Sequence, residues 1–273
     1  MRNFTTVVLM LFVTYIITGC AQKEANPAHA KLPVPLKVGM ASNYPPLTFE
    51  YKNKAMGVEV DFAHELGREL GRPVQFIILP RTQLFQALKT KGVDIVMSGT
   101  SITKERKKIV LFSEPYMKVS QMAVMQYGAE TPTPFSKGKG KKIGYIDFTT
   151  GEKFVKETFP MANQKGYTKI EHGVVAVLNG EIDYFFHDSP SIWYYTANHS
   201  IENLIGWYVP YTDENLAWGF DRKNMAFKQE VDTILNKWKN NGTLQRILRK
   251  WIPVTIDIPQ NSERLTQLHH QPQ

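Results

Sequence analysis

The residues best suited to bind a small anion follow a short apolar run that is typical of a buried strand. Ser98, Gly99 and Ser101 form a small, hydroxyl-bearing turn after that run. Hydroxyl groups, free backbone N–H groups and the positive end of a helix dipole all favour a carboxylate or a phosphate at such a turn. Thr103 stands where a helix N-cap is expected, and Arg106, about one turn further, adds a guanidinium that can bind a carboxylate through two hydrogen bonds. A capped loop before a solvated basic helix would show the same pattern, so both interpretations stay open.

Further polar side chains follow other predicted strands. Tyr44 lies in a loop after the first of these strands, Thr149 and Thr150 begin a predicted helix, and Asp188 follows the apolar run 182–186. Ligands of open α/β sheets bind beyond the carboxyl ends of the strands. An arginine on one unit and an aspartate on a facing unit would together bind the carboxylate and the ammonium of a free amino acid. Each residue also has a structural interpretation: the tyrosine as core packing, the threonines as a helix start, and the aspartate as a helix cap.

The order of the predicted elements indicates an α/β fold. Strands and helices alternate along the chain, which predicts two αβ units, each a mostly parallel sheet with helices on both faces. The first unit is predicted to comprise residues 36–126 and 215–255, and the second residues 127–214. Residues 20–35 form a polar, proline-bearing tether, and residues 256–273 form a polar tail that is expected to be disordered.

The composition limits the class of protein. The chain has 273 residues, of which 42% are hydrophobic and 21% charged, values that are ordinary for a globular protein. Its formal charge is +8 and its pI is near 9.3, but the basic residues are scattered and no nucleic-acid-binding motif accompanies them. No nucleic-acid partner is therefore expected. The seven histidines lack the spacing of metal ligands, so neither a metal nor another cofactor is expected.

The N-terminus has the features of an export signal. Residues 1–19 contain Arg2 and then an apolar run too short to span a bilayer, which predicts a signal peptide. The stretch Ile17-Thr18-Gly19-Cys20 resembles the lipobox of bacterial lipoproteins, in which the cysteine is lipidated. This resemblance implies an extracytoplasmic protein that is anchored at Cys20, through palmitate or another acyl chain, to the cell membrane or the outer membrane. An ordinary signal peptide with an incidental cysteine is the alternative.

The anion-binding stretch also carries a longer motif. It consists of Asp94 in a strand, the small-residue turn 98–101, Thr103-Lys104-Glu105-Arg106, and Phe112-Ser113-Glu114-Pro115-Tyr116. In order and spacing this motif resembles the lobe-one signature of the bacterial extracellular solute-binding proteins of the polar amino-acid class, family 3. The resemblance covers residues 36–251, nearly the whole of the predicted body.

The resemblance implies a fold and a function. The fold is the two-lobed, type II periplasmic-binding-protein architecture, with two crossing hinge strands expected near Met125–Tyr127 and Tyr211–Trp218. The function is that of a monomeric receptor that closes on an amino acid and delivers it to an ABC permease. Two alternatives share the fold: a periplasmic cyclohexadienyl or arogenate dehydratase, and a sensory lipoprotein. The enzyme would need a general acid, and no acidic residue of the matched cleft except Asp188 is available.

The resemblance also assigns roles to individual residues. Arg106 and Thr150 match the groups that bind the ligand α-carboxylate, and Asp188 matches the aspartate that receives the α-ammonium. Tyr44 matches the aromatic residue that covers the ligand side chain. The remaining predicted ligand contacts, which are hydroxyl or main-chain groups, are Ser98, Gly99, Ser101 and Thr149.

Three positions depart from the family pattern. Ala41 stands where receptors for basic amino acids have an acidic residue, and Arg81 stands where an aromatic residue often lies near the ligand side chain. These two residues favour a polar or acidic ligand over a basic one, although Arg81 could also be a surface arginine. Phe148 replaces the glycine that is common before the paired threonines.

Overall fold

The computed structural model describes residues 33–198 and 203–252. The predicted signal peptide, the lipidated Cys20, nearly all of the tether and the polar tail lie outside the described residues. The strands are β1 Leu36–Met40, β2 Asn43–Tyr44, β3 Thr48–Tyr51, β4 Lys54–Met56, β5 Val74–Ile78, β6 Ile95–Val96, β7 Leu111–Phe112, β8 Met117–Val119, β9 Gln121–Gln126, β10 Lys142–Ile146, β11 Asn163–Tyr167, β12 Tyr184–Asp188, β13 Leu204–Trp207, β14 Glu214–Leu216 and β15 Gly219–Phe220. The helices are α1 Val58–Glu69, α2 Leu84–Lys89, α3 Lys104–Lys107, α4 Thr150–Thr158, α5 Ile170–Leu178, α6 Ser189–Asn198, α7 Met225–Asn241 and α8 Thr243–Trp251.

Two five-stranded sheets form two lobes, as the alternation of strands and helices predicts. The first lobe contains the sheet of order β5-β1-β6-β15-β7, in which β1 is parallel to β5 and β6, and β15 is antiparallel to its neighbours. The second lobe contains the sheet of order β11-β10-β12-β9-β13, in which β10 is parallel to β11 and β12. Strand β9 runs antiparallel between β12 and β13.

The pairing of β9 corrects the predicted boundary between the lobes. The sequence placed residues up to 126 in the first unit and a hinge strand near Met125–Tyr127, yet β9 is a full member of the second sheet. The chain therefore changes lobe before Gln121. The two crossings are β8 and β14, which pair with each other as a short antiparallel ribbon. The predicted return segment, Tyr211–Trp218, does contain β14.

Aromatic packing stabilises the first lobe beneath its sheet. Phe62 of α1, Trp218 and Trp238 are fully buried, with ring centroids 5.7 to 6.2 Å apart. Val58, Phe62 and Leu66 lie four residues apart on successive turns of α1, so they form one apolar face of the helix that packs into this core. Burial of each such ring contributes about 2 kcal/mol or more to the free energy of unfolding. None of the helices within the described ranges is both long and apolar enough to cross a membrane.

Candidate functional site

A small cavity lies where the two lobes meet, and most of the predicted ligand contacts line it. Its volume is about 10 Å³, close to the minimum that one water molecule needs. The lining residues are Tyr44, Arg81, Gly99, Ser101, Arg106, Thr149, Thr150, His187 and Asp188. Every predicted contact except Ser98 is among them, and His187 is the one addition.

A larger cleft adjoins this cavity without containing its charged groups. It has a volume of about 820 Å³ and lies between α3, β7, α4 and the ribbon strand β14. Thr150 is the one predicted ligand contact that lines it. The small cavity, with its convergent arginines and aspartate, is therefore the candidate site.

Asp188 ends β12 and is almost fully buried. One carboxylate oxygen accepts a hydrogen bond from the Tyr44 hydroxyl, and the other accepts one from the Gln121 side-chain amide. Burial raises the pKa of Asp188 above its ordinary value, although both hydrogen bonds and the nearby charges of Arg81 and Arg106 lower it. A cationic partner would favour the ionised form further, which suits a group that receives an ammonium.

Tyr44 reaches from the first lobe across the cavity to the second. Its ring packs edge-on against the His187 ring, with 4.7 Å between the centroids. The Arg81 guanidinium forms a second contact and lies 5.6 Å from the centroid of the Tyr44 ring. Burial and the neighbouring Asp188 raise the pKa of Tyr44 well above its ordinary value, so the hydroxyl stays protonated and donates. The tyrosine is thus both a packed core residue and a polar part of the site.

The turn at Ser98 and Gly99 directs a carbonyl group toward Arg81, which lines the cavity, rather than the predicted mixture of groups. The Gly99 N–H donates to the Glu59 carboxylate at 2.8 Å, so it is engaged below the turn. The Ser98 hydroxyl accepts the Ala41 N–H at 2.9 Å, which turns this side chain toward β1 and out of the cavity lining. The Ser98 carbonyl faces Arg81, whose guanidinium donates to it at 3.4 Å. Carbonyl oxygens favour an ammonium, so this turn complements Asp188.

Gly99 should not tolerate a side chain, because its backbone is left-handed and its surroundings are full. Its φ is +57°, and a Cβ would lie 2.5 Å from Cε1 of Tyr44. We expect Gly99→Ala to lower the free energy of unfolding by about 2 kcal/mol or more, from strain and overpacking together. Gly71→Ala is the matched control, since Gly71 has a φ of +61° and no atom within 4 Å of the added Cβ. Equal loss of stability in the two variants, measured by chemical denaturation, would contradict the predicted contact.

Arg106 is positioned by the capped start of α3. The Thr103 hydroxyl accepts the Arg106 N–H at 3.1 Å, which confirms Thr103 as the N-cap, and the Arg106 guanidinium donates to the Ser101 carbonyl at 2.9 Å. Burial lowers the pKa of Arg106, and the positive charge of Arg81 lowers it further. An arginine stays protonated regardless, so the two guanidinium groups repel each other in a partly desolvated place and favour an anion between them.

The two threonines of the second lobe have different roles. The Thr149 hydroxyl donates to the Ile146 carbonyl at 2.6 Å and accepts the Glu152 N–H at 3.3 Å, so it acts as the N-cap of α4. Thr150 begins the helix, and its hydroxyl lies 3.4 Å from the Gln121 amide nitrogen. Phe148 adopts a φ of +62°, a conformation that glycine adopts more easily, which explains why a glycine would suit that position.

Two residues of the site are not among the predicted ligand contacts. Gln121 is fully buried, and its amide nitrogen contacts Asp188, Thr150 and, at 3.1 Å, the ribbon residue Glu214. Gln121 faces Asp188 because β9 and β12 pair with these two residues in register. His187 precedes Asp188 and is buried, and burial lowers its pKa to about 3, so it lies in the site as a neutral ring.

Comparison with known proteins identifies the family. The family description "bacterial extracellular solute-binding proteins, family 3" matches residues 36–254. The chain belongs to this family. This solute-binding protein is 31% identical over 217 residues to the arginine-binding periplasmic protein of Mannheimia haemolytica, a match that covers 78% of this chain and 89% of the relative.

Solved structures of related proteins have the same fold. A putative binding component of an ABC transporter from Wolinella succinogenes, in complex with lysine, is 25% identical, with a TM-score of 0.78 over 82% of this chain and 98% of that one. An ancestral amino-acid-binding protein, AncCDT-1, described as a precursor of cyclohexadienyl dehydratase, is 30% identical, with a TM-score of 0.75 over 80% and 95%. The predicted two-lobed, type II periplasmic-binding-protein fold is therefore confirmed.

The relatives bear on two of the functional predictions. Their names describe amino-acid-binding proteins, and those named for transport belong to ABC transporters. The expected preference for polar or acidic ligands over basic ones has no support among them, because arginine and lysine are the ligands in several of their names. Lipidation at Cys20 and the monomeric state stay predictions.

Proposed function

We propose that this solute-binding protein captures one free amino acid between its lobes and delivers it to an ABC permease. The observation that carries the proposal is that Arg106 of the first lobe and Asp188 of the second line the same cavity. The carboxylate would bind to Arg106 and Thr150. The ammonium would bind to Asp188 and to the carbonyl groups of the turn at Ser98 and Gly99.

Binding requires the lobes to separate, because the cavity has a volume of only about 10 Å³. Several side chains of the described residues bridge the lobes. The Tyr44 hydroxyl donates to Asp188, the Ser191 hydroxyl donates to the Pro45 carbonyl at 2.6 Å, and the Asn43 amide donates to the Thr168 carbonyl at 2.9 Å, while the Lys153 ammonium lies 3.7 Å from the Glu105 carboxylate. The ribbon of β8 and β14 is the proposed hinge, since both crossings of the chain pass through it.

A thermal-shift screen of the purified protein against the twenty amino acids tests the proposal. A ligand at one hundred times its dissociation constant should stabilise the folded protein by about 2.7 kcal/mol. Prephenate and arogenate belong in the screen, together with an assay for their turnover. Turnover of either compound would show that the protein is a dehydratase rather than a receptor. A screen in which no amino acid raises the melting temperature would contradict the proposed function.

The charge of the preferred ligand depends on Arg81 in this proposal. The names of the relatives make arginine and lysine the first ligands to test, yet Arg81 places a second guanidinium beside Tyr44 and Ser98. We expect Arg81→Met to change the ratio of the glutamate and arginine dissociation constants by about tenfold or more in favour of arginine. Arg68→Met is the control, because the Arg68 side chain is 71% exposed. Calorimetric titration that gives the wild-type ratio for Arg81→Met would exclude a role in selectivity.

Lipid anchoring is part of the same proposal. Acylation of Cys20 would hold the receptor at the membrane near its permease, with residues 20–35 as a tether. Mass spectrometry of the mature N-terminal peptide tests this directly. An N-terminus at any other residue, or an unmodified cysteine, would refute it.

A further inference from the structure

A buried carboxylate lies directly beneath the turn that lines the cavity. Glu59, in the first turn of α1, has no exposed surface. One of its oxygens accepts two hydrogen bonds, from the Gly99 N–H at 2.8 Å and from the Tyr116 hydroxyl. A carboxylate is rarely buried without a positive partner, so its presence here points to a role for its charge.

One peptide group connects this carboxylate to an arginine of the site. The N–H of the peptide between Ser98 and Gly99 donates to Glu59, and the C=O of the same peptide accepts a hydrogen bond from Arg81 at 3.4 Å. A hydrogen bond at one end of a peptide group polarises the other end and strengthens the bond there. Glu59 therefore influences both the orientation of the turn and the partial charge of the Ser98 carbonyl, which faces Arg81 of the cavity lining.

The surroundings of Glu59 are aromatic and neutral. Burial raises the pKa of Glu59 to about 7, while hydrogen bonds from Tyr116 and from the Gly99 N–H lower it. Burial and Glu59 raise the pKa of Tyr116 well above its ordinary value, so this hydroxyl remains a donor. The Tyr116 ring stacks on Trp218, with 5.6 Å between the centroids, and lies against Phe62 at 5.5 Å. Tyr116 is thus the titratable group that contacts Glu59 in the described part of the chain.

We propose that Glu59 is a positioning residue of the ligand site: it holds the peptide group between Ser98 and Gly99, and its negative charge strengthens the binding of the ligand ammonium. The inference rests on the proposed function for the ligand. The sequence assigns Glu59 no role, because it occupies an ordinary polar position at the start of an amphipathic helix.

The proposal fixes the sign of a pH effect. Glu59 becomes ionised as the pH rises through about 7, so an amino acid should bind more tightly at pH 8 than at pH 6. Folding stability should change in the opposite direction, since a carboxyl whose pKa rises from 4.5 to about 7 on folding disfavours the folded state as the pH increases between these values. His187, with a pKa of about 3, does not titrate in this window.

The matched variant is Glu59→Gln, which keeps an acceptor for the Gly99 N–H and removes the charge. Calorimetric titration with L-arginine, and with L-glutamine as a second probe, should show about fivefold tighter binding to the wild type at pH 8 than at pH 6. The variant should bind with little change across this range, and Asp188, present in both proteins, cancels in the comparison. Identical pH profiles for the two proteins would overturn the proposal.

A second readout needs no ligand. In nuclear magnetic resonance spectra of the wild type, the Gly99 amide should titrate with a midpoint near pH 7, and in Glu59→Gln it should not. Tyr116→Phe removes a hydrogen bond that favours the ionised carboxylate, so it should move the midpoint to higher pH. A Gly99 amide that does not titrate in the wild type would also overturn the proposal. If the wild type bound no amino acid although its Gly99 amide titrated near pH 7, the proposed function would be contradicted. The proposed link from Glu59 to the ligand would then be contradicted as well.

Discussion

Asp188→Asn should weaken amino-acid binding by about 30-fold or more and leave the protein at least as stable as the wild type. The loss of affinity follows from removing the one carboxylate among the cavity-lining residues, since a buried pair that loses one charge costs about 2 kcal/mol or more. The gain in stability follows from the pKa of Asp188, which burial raises: at neutral pH the folded protein holds an unfavourable buried charge that asparagine lacks.

The two effects must be measured together. Calorimetric titration gives the affinity, and denaturant unfolding of the ligand-free protein gives the stability. Asp213→Asn is the control, because the Asp213 side chain is 76% exposed and its pairing with Lys118 at 3.6 Å is a surface contact. If Asp188→Asn bound amino acids with wild-type affinity, Asp188 would not be the group that binds the ligand ammonium. A large loss of stability would instead assign Asp188 a structural role.

Arg106→Met should weaken binding by about 100-fold or more, because in the proposed mode of binding the ligand carboxylate loses two charge-assisted hydrogen bonds. Arg106→Lys should recover part of this loss, since it restores the charge without the planar pair of donors. The neighbouring exposed residue of α3 supplies the control: Lys107→Met removes a charge from the same helix without reaching the cavity.

The Arg106 series also distinguishes contact from support. Arg106 donates to the Ser101 carbonyl, so its replacement could loosen the turn as well as remove a ligand contact. Denaturant unfolding followed by circular dichroism should show that the free energy of unfolding changes by less than about 1 kcal/mol, the contribution of one such hydrogen bond. If Arg106→Met bound amino acids as tightly as Lys107→Met, the carboxylate half of the proposed site would be disproved.

Local pattern predicted the parts of the site that each lobe builds by itself. The Thr103 cap, the turn at Gly99, and the strand end at Asp188 all follow from short segments whose residue types restrict the backbone. The sequence could not predict which strands lie side by side, because that depends on long-range packing. Gln121 shows this limit: it looks like an ordinary residue at the start of a strand, and only the pairing of β9 with β12 brings it to Asp188.

The lobe boundary and the buried acid were missed for the same physical reason. An apolar strand such as β9 fits either sheet, so its sequence does not identify its lobe. Glu59 occupies a polar position of α1, and its burial depends on the loop between β2 and β3, where the Leu47 carbonyl accepts the Glu59 N–H at 3.0 Å. Contacts between segments distant in sequence therefore determine which residues support those that line the cavity.

The bond between Tyr44 and Asp188 has a consequence for molecules that only partly resemble an amino acid. In the proposed mode of binding, a ligand that reaches Asp188 separates this pair, and a buried carboxylate left without a donor costs about 1–3 kcal/mol or more. An amino group replaces the lost phenol, whereas a keto acid or a simple organic acid does not, however well it fits Arg106. The Tyr44 hydroxyl thus competes with the ligand for Asp188. Metabolites without an amino group cannot replace its hydrogen bond and should therefore bind weakly.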